Sequence, residues 1–300
     1  MNSILDGQQQ AVEADPGLNI LSVDLECWEQ LVHRKLTNQL IPCSESLVRS
    51  TSFLLNLFRE KDVRATFFVV GYVAEAFPEL IRRINLEGHE IASHGYSHLT
   101  IDMLSPERFR EEIRRSSSVL RSLTGDSVKG FRAPEFSLGP GTHWAMEILA
   151  QEGIEYDSSV VPCSGRKHGV AGFSRGSVRL TAGPYSILEV PPSTITVLGR
   201  NRLAAGGSYF RLLPYFLIKR IVRRVNRDGF PFVMYCHPYE FSSERLGLQD
   251  DVKSRSRLAA TALEFKYNLF RKTMRYKLSR LLDEFRFAPF REVLAHALRK

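Results

Sequence analysis

The stretch EIASHGYSH, residues 90–98, joins a short apolar run to two histidines, His94 and His98, that stand four residues apart. Imidazoles with this spacing, on one helical turn or on the loop after a strand, can bind one metal ion together. By itself the pair is equally well explained as a chance occurrence on a solvated turn. Two histidines rarely complete a metal site, so we expect the rest of the chain to supply a carboxylate ligand, a base and an acid.

Apolar runs and helical patterns alternate on both sides of this stretch. Strands are predicted at residues 18–23, 65–70, 90–93, 130–132, 187–190 and 232–236, and helices at 44–61, 78–87, 105–124 and 142–153. Ser44 is the expected N-cap of helix 44–61, and Ser105 followed by Pro106 begins helix 105–124. Such alternation is typical of an α/β fold with a parallel sheet. Because no GxGxxG motif follows a strand, one barrel-like sheet wrapped by helices fits better than a doubly wound dinucleotide fold.

The composition indicates one folded domain. The chain of 300 residues is 43% hydrophobic and 25% charged, which is typical of a globular protein. We expect a flexible segment at 1–17, the barrel at 18–250, and a helical extension packed on the barrel at 251–300. The four cysteines are scattered without a CxxC pair, which argues against a zinc ribbon, a redox motif or a disulfide framework.

The net charge of +8 is unevenly distributed, with KRIVRRVNR at 219–227 as its densest stretch. No nucleic-acid-binding module accompanies it, so no nucleic-acid partner is expected. Attraction to anionic lipid or to an acidic glycan explains the charge, and a solvated helix face is the simplest interpretation. The N-terminus lacks the pattern of a signal peptide, and no apolar stretch reaches eighteen residues. We therefore expect a cytoplasmic protein with peripheral contact at the inner membrane; the sequence does not indicate an oligomeric state.

Every polar cluster of interest follows one of the apolar runs. In a parallel barrel the carboxyl ends of the strands share one face, where active sites form. We therefore expect these side chains to lie together: Asp24, Glu26, His94, His98, Arg132 and His237.

The residue types in this group indicate metal-assisted chemistry. One of the two acids could bind a metal while the other acts as base, and Arg132 could fix the base through a bidentate pair. Two histidines and a carboxylate suit Zn²⁺ first, with Co²⁺, Mn²⁺ and Fe²⁺ as alternatives. Such an ion polarises a carbonyl and lowers the pKa of bound water. The alternatives are that Asp24 and Glu26 are solvated loop acids, that Arg132 is a surface arginine, and that His237 is a core histidine.

Six motifs carry a family resemblance: SVDLECW, RATFFVVG, EIASHGYSH, GFRAPEFS, EVPPS and MYCHPYEF. In this order they resemble the polysaccharide deacetylases, the NodB-homology or carbohydrate esterase family 4 group, over residues 18–294. AAGGSYFRLLPY at 204–215 and the C-terminal FKYNLFRKTMRYKLSRLLDEFRFAPFREVL resemble the branch associated with exosortase/PEP-CTERM exopolysaccharide clusters. The resemblance implies an α/β fold, a distorted (β/α) barrel of the NodB-homology type.

The resemblance also implies a role for each site residue. Asp24 would be the general base, oriented by Arg132, and Glu26, His94 and His98 would hold a divalent metal ion. His237 would protonate the leaving amine or stabilise the tetrahedral intermediate. Pro134 and the backbone N–H of Glu135 would contact the substrate and its oxyanion.

Three positions depart from the family pattern. Leu25 separates the two acids, which are adjacent in most of the family. Cys27 stands where the exosortase branch would have an aspartate, so Glu26 is the expected third ligand and a Cys27 thiolate is an alternative. Glu135 stands where many relatives have tyrosine, which is tolerable if only its backbone N–H is used.

Together these features predict a metal-dependent hydrolase of amide bonds. The expected reaction is N-deacetylation of N-acetylhexosamine units in an exopolysaccharide or its lipid-linked oligosaccharide precursor. Two alternatives remain: a small-molecule amide or cyclic imide hydrolase of the same fold, and a metal-free, non-catalytic glycan-binding protein.

Overall fold

The computed structural model describes residues 9–12, 15, 17–37, 41–165, 167–182, 184–248 and 257–299. Parts of the predicted segments 1–17 and 251–300 lie outside these residues. The strands are β1 Gln10–Ala11, β2 Leu18–Leu25, β3 Thr66–Val69, β4 Glu90–Ser93, β5 Gly130–Phe131, β6 Tyr156–Asp157, β7 Val178–Ala182, β8 Tyr185–Glu189, β9 Thr194–Val197, β10 Arg200–Leu203, β11 Val233–Cys236 and β12 Arg286–Ala288. The helices are α1 Trp28–Thr37, α2 Ser46–Glu60, α3 Gly71–Ala76, α4 Pro78–Leu86, α5 Pro106–Thr124, α6 Ala145–Gln151, α7 Gly207–Leu212, α8 Tyr215–Arg227, α9 Arg257–Asn268, α10 Met274–Glu284, α11 Phe290–Val293 and α12 Ala295–Leu298.

A single mixed sheet organises the fold. Its strands run in the order β1-β7-β8-β6-β5-β4-β3-β2-β11, and β12 pairs with β2 beside this path. All neighbours from β8 to β11 are parallel, whereas β1, β7 and β8 pair antiparallel. No pairing joins the two edge strands within the described part of the chain, so the barrel is open. This architecture confirms the predicted α/β fold with a distorted barrel.

The hydrophobic core lies on both faces of the sheet, which explains why its central strands are continuous apolar runs. On β3, Phe67 and Val69 pack with the large cluster beneath the helices, and Phe68 points to the other face. There it meets Tyr156 and Phe290 edge-on, with ring centroids 6.5 and 5.4 Å away. Alternation along one short strand thus fills both the outer core and the barrel interior.

The local predictions are mostly confirmed. Ser105 caps α5, because its Oγ accepts from the Arg108 N–H at 3.3 Å, and this helix ends at Thr124 as expected. The prediction for Ser44 is wrong: α2 begins at Ser46 with Glu45 as N-cap, and the Ser44 hydroxyl donates instead to Glu29 Oε1 at 3.1 Å. β2 extends two residues beyond its predicted end, so that Asp24 lies inside the strand.

The segment after residue 257 contributes to the sheet as well as adding helices. β12 pairs in parallel with the first half of β2, with Phe287 opposite Asn19. Beyond it, the Phe290 N–H donates to Thr66 Oγ1 at 2.8 Å, and the Arg291 N–H donates to Glu90 Oε2 at 2.9 Å. Residues 286–291 therefore cover the end of the barrel opposite the carboxyl ends of the strands.

Within the described residues, no helix is both long and apolar enough to span a membrane.

Candidate metal centre and catalytic site

The parallel strands bring the predicted site residues together at the carboxyl ends of the strands. Asp24 is the next-to-last residue of β2, and Glu26 follows that strand. The other residues come directly after neighbouring strands or in the loop beyond: His94 and His98 after β4, Arg132 after β5, and His237 after β11.

Glu26, His94 and His98 form a buried cluster whose ligand atoms all lie within 4.8 Å of one another. Glu26 Oε2 is 2.8 Å from His98 Nε2 and 3.7 Å from His94 Nε2. A carboxylate and two imidazoles leave a fourth coordination position open, which is the pattern of catalytic zinc sites.

The two histidines present their Nε2 atoms in a form that suits a metal ion. His94 Nδ1–H donates to the Arg132 carbonyl at 2.7 Å, which leaves the Nε2 lone pair available. His98 Nε2 is buried and makes no hydrogen bond of acceptable geometry with any described residue, although Glu26 is close. Burial lowers the pKa of His98 more than Glu26 raises it, so the neutral imidazole that binds metals is favoured. The residues present therefore fit a divalent metal ion.

Arg34, on α1, supports the second histidine and was not predicted. Its guanidinium donates to the carbonyl oxygens of Ser97, at 2.6 Å, and of His98. His98 has a positive φ of 55°, which is uncommon for a residue other than glycine. These hydrogen bonds help to hold the loop in that conformation. The spacing of Arg34 gives no signal by which sequence reasoning could have found it.

Asp24 is held by Arg132. Arg132 Nη1 lies 2.6 Å from Asp24 Oδ1 and donates to Ser22 Oγ at 2.8 Å. Its Nε and Nη2 donate to the carbonyl and hydroxyl of Ser158 at 3.2 and 2.9 Å, and its charge lies 4.1 Å from the centre of the Phe68 ring. The contact with Asp24 therefore uses one nitrogen, rather than the bidentate pair considered from the sequence. The reason is that Ser158 occupies the rest of the guanidinium.

His237 lies near the carboxylate oxygen of Glu26 that does not face His94 and His98. Its Nε2 is 3.5 Å from Glu26 Oε1, and its Nδ1 is 3.3 Å from Glu240 Oε2. Burial lowers the pKa of His237, but Glu26, Glu240 and Asp24 outweigh burial and raise it to about 9. Burial raises the pKa of Glu26, but His237 and the other two imidazoles outweigh it and hold this pKa well below its usual value. In the protein without metal, His237 and Glu26 thus form an ion pair.

Glu240 was missed, although its signal was present in the sequence. It stands three residues after His237, at the spacing of a capping box, and its carboxylate accepts from the His237 backbone N–H at 3.0 Å. It therefore orients His237 through both the backbone and the ring.

The predicted oxyanion segment has an unusual backbone. Glu135 and Phe136 both have positive φ, 56° and 55°, although neither is glycine. Such residues cost about 1 kcal/mol or more and are concentrated at functional sites. The Glu135 carboxylate is 2.8 Å from Lys35 Nζ, while Pro134 is buried beneath the loop. The strained turn thus places Glu135 at the cavity wall.

Cys27 points away from the three ligands. Its thiol donates to Glu29 Oε2 at 3.4 Å, and a hydrogen bond with Cys27, together with burial, raises the pKa of the Cys43 thiol. Cys27 is not part of the cluster of ligand atoms formed by the described residues. The structure therefore favours Glu26 over Cys27 as third ligand.

A cavity of about 340 Å³ opens above these residues. Six predicted residues line it, namely Asp24, Glu26, His94, His98, Glu135 and His237, whereas Arg132 and Pro134 lie behind them. The rest of the wall includes aromatic and basic residues that sequence reasoning missed: Trp28, Lys35, Tyr235, Tyr239, Lys266 and Tyr267. Lys266 and Tyr267 belong to α9, which no active-site motif marks in the sequence.

Two family models match consecutive parts of the chain. Residues 44–154 match the polysaccharide deacetylase model, and residues 158–295 match a domain of unknown function (DUF3473). The first match contains His94, His98 and Arg132, and the second contains His237.

Curated relatives match over shorter lengths. A peptidoglycan-N-acetylglucosamine deacetylase of Bacillus cereus is 36% identical over 84 residues, which are 28% of this chain and 30% of that protein. A peptidoglycan deacetylase of Helicobacter pylori is 32% identical over 108 residues, or 36% of each chain. The chain thus spans about a third of the length of these relatives.

Solved structures extend the likeness in fold to nearly the whole chain. A structure from Mycobacterium smegmatis, assigned as a polysaccharide deacetylase, has a TM-score of 0.62 at 20% identity and covers 96% of this chain and 93% of its own. An allantoinase has a TM-score of 0.58 at 16% identity, covering 92% of this chain and 88% of its own. At these identities the likeness shows a shared fold, and the activity must be argued from the site. Over residues 44–154 the chain is thus similar to the polysaccharide deacetylase family.

Proposed function

We propose that the protein is a metal-dependent hydrolase that removes acetyl groups from N-acetylhexosamine units of a polysaccharide. The observation that carries this proposal is the buried cluster of Glu26, His94 and His98 at the floor of a cavity, with Asp24 and His237 beside it. A ligand set, a base and an acid thus line one space, which is what hydrolysis of an amide requires.

Glu26, His94 and His98 would hold a divalent ion, Zn²⁺ first, with Co²⁺, Mn²⁺ or Fe²⁺ as alternatives. When bound, the ion supplies a Lewis acid that polarises the amide carbonyl and activates water. Asp24 takes a proton from the attacking water. Arg132 keeps the Asp24 carboxylate in place through a buried ion pair.

His237 donates a proton to the departing amine. The Glu240 carboxylate, 3.3 Å from Nδ1, favours the protonated ring and orients it so that Nε2 faces the cavity. The backbone N–H of Glu135, with Pro134 fixing the turn, is the proposed donor to the oxyanion of the tetrahedral intermediate.

The residues that line the cavity support the proposal of a sugar substrate. Tyr239 and Tyr267 offer flat apolar faces against which a sugar ring can pack. Curated relatives that act on peptidoglycan point to the same substrate class.

The biological setting is part of the proposal. We place the substrate in an exopolysaccharide, or in its lipid-linked oligosaccharide precursor, and the enzyme on the cytoplasmic side of the inner membrane. The motifs that resemble the exosortase/PEP-CTERM branch, at 204–215 and 265–294, lie within residues 158–295, which match a separate family model. Cys27 was the feature in favour of a metal-free glycan-binding protein, and its position away from the cluster weakens that alternative.

The test is acetate release from N-acetylated chitooligosaccharides by protein that has been stripped of metal and reconstituted with Zn²⁺, Co²⁺, Mn²⁺ or Fe²⁺. We expect activity with at least one metal and its loss on chelation. Hydrolysis of hydantoin-type cyclic imides without any acetate release would favour the small-molecule alternative. Failure of every metal to bind or to give activity on either substrate would favour the non-catalytic alternative.

A further inference from the structure

The positive charge of the chain is concentrated in one segment. Between residues 194 and 227 there are eight Lys or Arg residues and no Asp or Glu. The other 266 residues carry 33 basic and 33 acidic side chains, so this segment accounts for the whole net charge of +8. In the structure it forms the β9–β10 hairpin, α7 and α8, whose outer surface we call the arginine-rich face.

Most of these cations are exposed and unneutralised. Arg211 is buried and donates to backbone carbonyls of α9, and Lys219 pairs with Glu284. Arg224 pairs with Asp228 at 2.9 Å. Five exposed arginines form no ion pair with any described residue: Arg200, Arg202, Arg220, Arg223 and Arg227.

Large apolar side chains are exposed among these arginines. Leu198 is 98% exposed at the tip of the hairpin, Phe216 is 59% exposed, and Leu212 is 48% exposed. Leu198 also has a positive φ of 48°, at a turn position that Asn, Asp or Gly would fill with less strain. Its placement therefore costs both backbone strain and apolar exposure. An interaction that buries this side chain would offset both costs.

An apolar groove connects the hairpin with α8. The groove has a volume of about 500 Å³ and is lined by Ile195, Leu203, Tyr209, Leu213, Leu217 and Ile221. Arg220 and Arg224 stand at its edge. On the other side of α8, Ile218, Val222 and Val225 are buried in the core, so the helix lies flat on the protein and presents its basic side outward.

The arginine-rich face begins beside the cavity. Gly207, the first residue of α7, lines the cavity, and Tyr209 on the same helix lines the groove. A side chain at Gly206 would meet the Tyr235 carbonyl at 1.8 Å, so this glycine allows the segment to lie directly on β11. α7 thus borders both the catalytic cavity and the groove.

We propose that the arginine-rich face binds an anionic phospholipid bilayer, with Leu198 and Phe216 entering the headgroup region and the arginines contacting lipid phosphates. Basic and apolar side chains intermixed without acids are the pattern of proteins that lie on anionic membranes. The proposal deepens the membrane setting of the proposed function, because it identifies the surface that would bring the cavity to a lipid-linked glycan.

The experiment is sedimentation of the full chain with vesicles of phosphatidylcholine containing phosphatidylglycerol, and with phosphatidylcholine alone. We expect binding only to the anionic vesicles, weakened by salt. Arg220→Gln/Arg223→Gln/Arg227→Gln should reduce the affinity about a hundredfold, given the usual contribution of each cation near such a surface. The matched control, Arg121→Gln/Arg245→Gln/Arg286→Gln, removes the same charge from exposed arginines elsewhere and should change the affinity less than about threefold.

A second variant, Leu198→Ser/Phe216→Ser, tests the choice of lipid over a soluble polyanion. We expect it to lose most of its vesicle binding while keeping its circular dichroism spectrum. Undiminished vesicle binding would show that charge alone attracts the protein, as it would to any polyanion, and would overturn the proposal, as would equal losses in the two arginine variants. Acetate release from soluble chitooligosaccharides should be unchanged in all of these variants, so failure of this surface and failure of the proposed function are distinguishable.

Discussion

Arg132 Nη1 lies 2.6 Å from Asp24 Oδ1, and both side chains are almost wholly shielded from solvent. The remaining guanidinium nitrogens are held by Ser158, which follows β6. The proposed base on β2 is therefore positioned from two neighbouring parallel strands, through an arginine that itself does not reach the cavity. This relationship separates the chemistry of Asp24 from the structural support of Arg132.

Asp24→Asn should lower kcat for acetate release by about 10²–10⁴-fold, the usual contribution of a positioned base. Metal content should be retained, because Asp24 is not in the ligand cluster. Steady-state kinetics and metal analysis on the same sample check this. Asp126→Asn, at an exposed acid, is the control. Activity of Asp24→Asn within tenfold of the wild type would show that another group acts as base.

His98→Ala and Glu26→Gln should each lose most of the bound metal, because a zinc site with two protein ligands is weak. Cys27→Ser is the matched control. The Cys27 thiol points to Glu29, so the metal content of this variant should stay within about twofold of the wild type. Metal analysis after dialysis, and calorimetric titration with Zn²⁺, measure both. Loss of metal in Cys27→Ser comparable to that in His98→Ala would make the thiol a ligand after all.

Tyr267→Ala should raise KM for chitooligosaccharides about tenfold and change kcat little, because the ring lines the cavity but lies outside the ligand cluster. Its ring packs against Trp28 at 5.7 Å between centroids. Tyr276→Ala, which removes an exposed tyrosine, serves as control. A fall in kcat at unchanged KM would contradict a substrate-binding role.

Folding stability should decrease as the pH falls from 6.5 to 4 because of His89. Burial lowers the pKa of His89 to about 4, and its Nδ1 accepts from the Ala65 N–H at 3.1 Å. In the unfolded chain His89 is protonated below about pH 6.5, whereas in the folded protein it is protonated only near pH 4. The free energy of unfolding is therefore lower by about 3 kcal/mol at pH 4 than above pH 6.5. In urea unfolding at several pH values, His89→Asn should show a shallower decrease, since Asn accepts the same hydrogen bond without titrating. If the free energy of unfolding falls equally steeply with pH in the wild type and in His89→Asn, other groups determine the pH dependence.

The sequence predicted most of the parallel core, because most of its strands are short apolar runs between clear breaks; β6 was not predicted, since Tyr156–Asp157 is not such a run. It also predicted that the candidate site residues lie together, because residues after parallel strands meet at one face. Ser44 was misassigned because two serines and Glu29 compete for the same hydrogen bonds, and only the tertiary contact with α1 decides between them.

The walls of the cavity could not be predicted in the same way. Tyr267 and Lys266 come from α9, more than 200 residues after β2, and Trp28 reaches them only because α1 packs against α9. Arg34 acts through backbone carbonyls, which carry no sequence signal. Glu240 is different, since its spacing from His237 was visible and only its capping function went unrecognised.

The pairing of β12 with β2 has a consequence for how the molecule is made. During synthesis, residues 18–20 cannot pair with β12 until about 270 further residues have been made. Contacts so distant in sequence form slowly. The strand that carries Asp24 is therefore incompletely paired in any nascent chain shorter than about 288 residues, which leaves an open edge to be shielded. Ribosome-bound intermediates should need chaperone protection until that last strand docks, and a chain cut before residue 286 should be prone to aggregation.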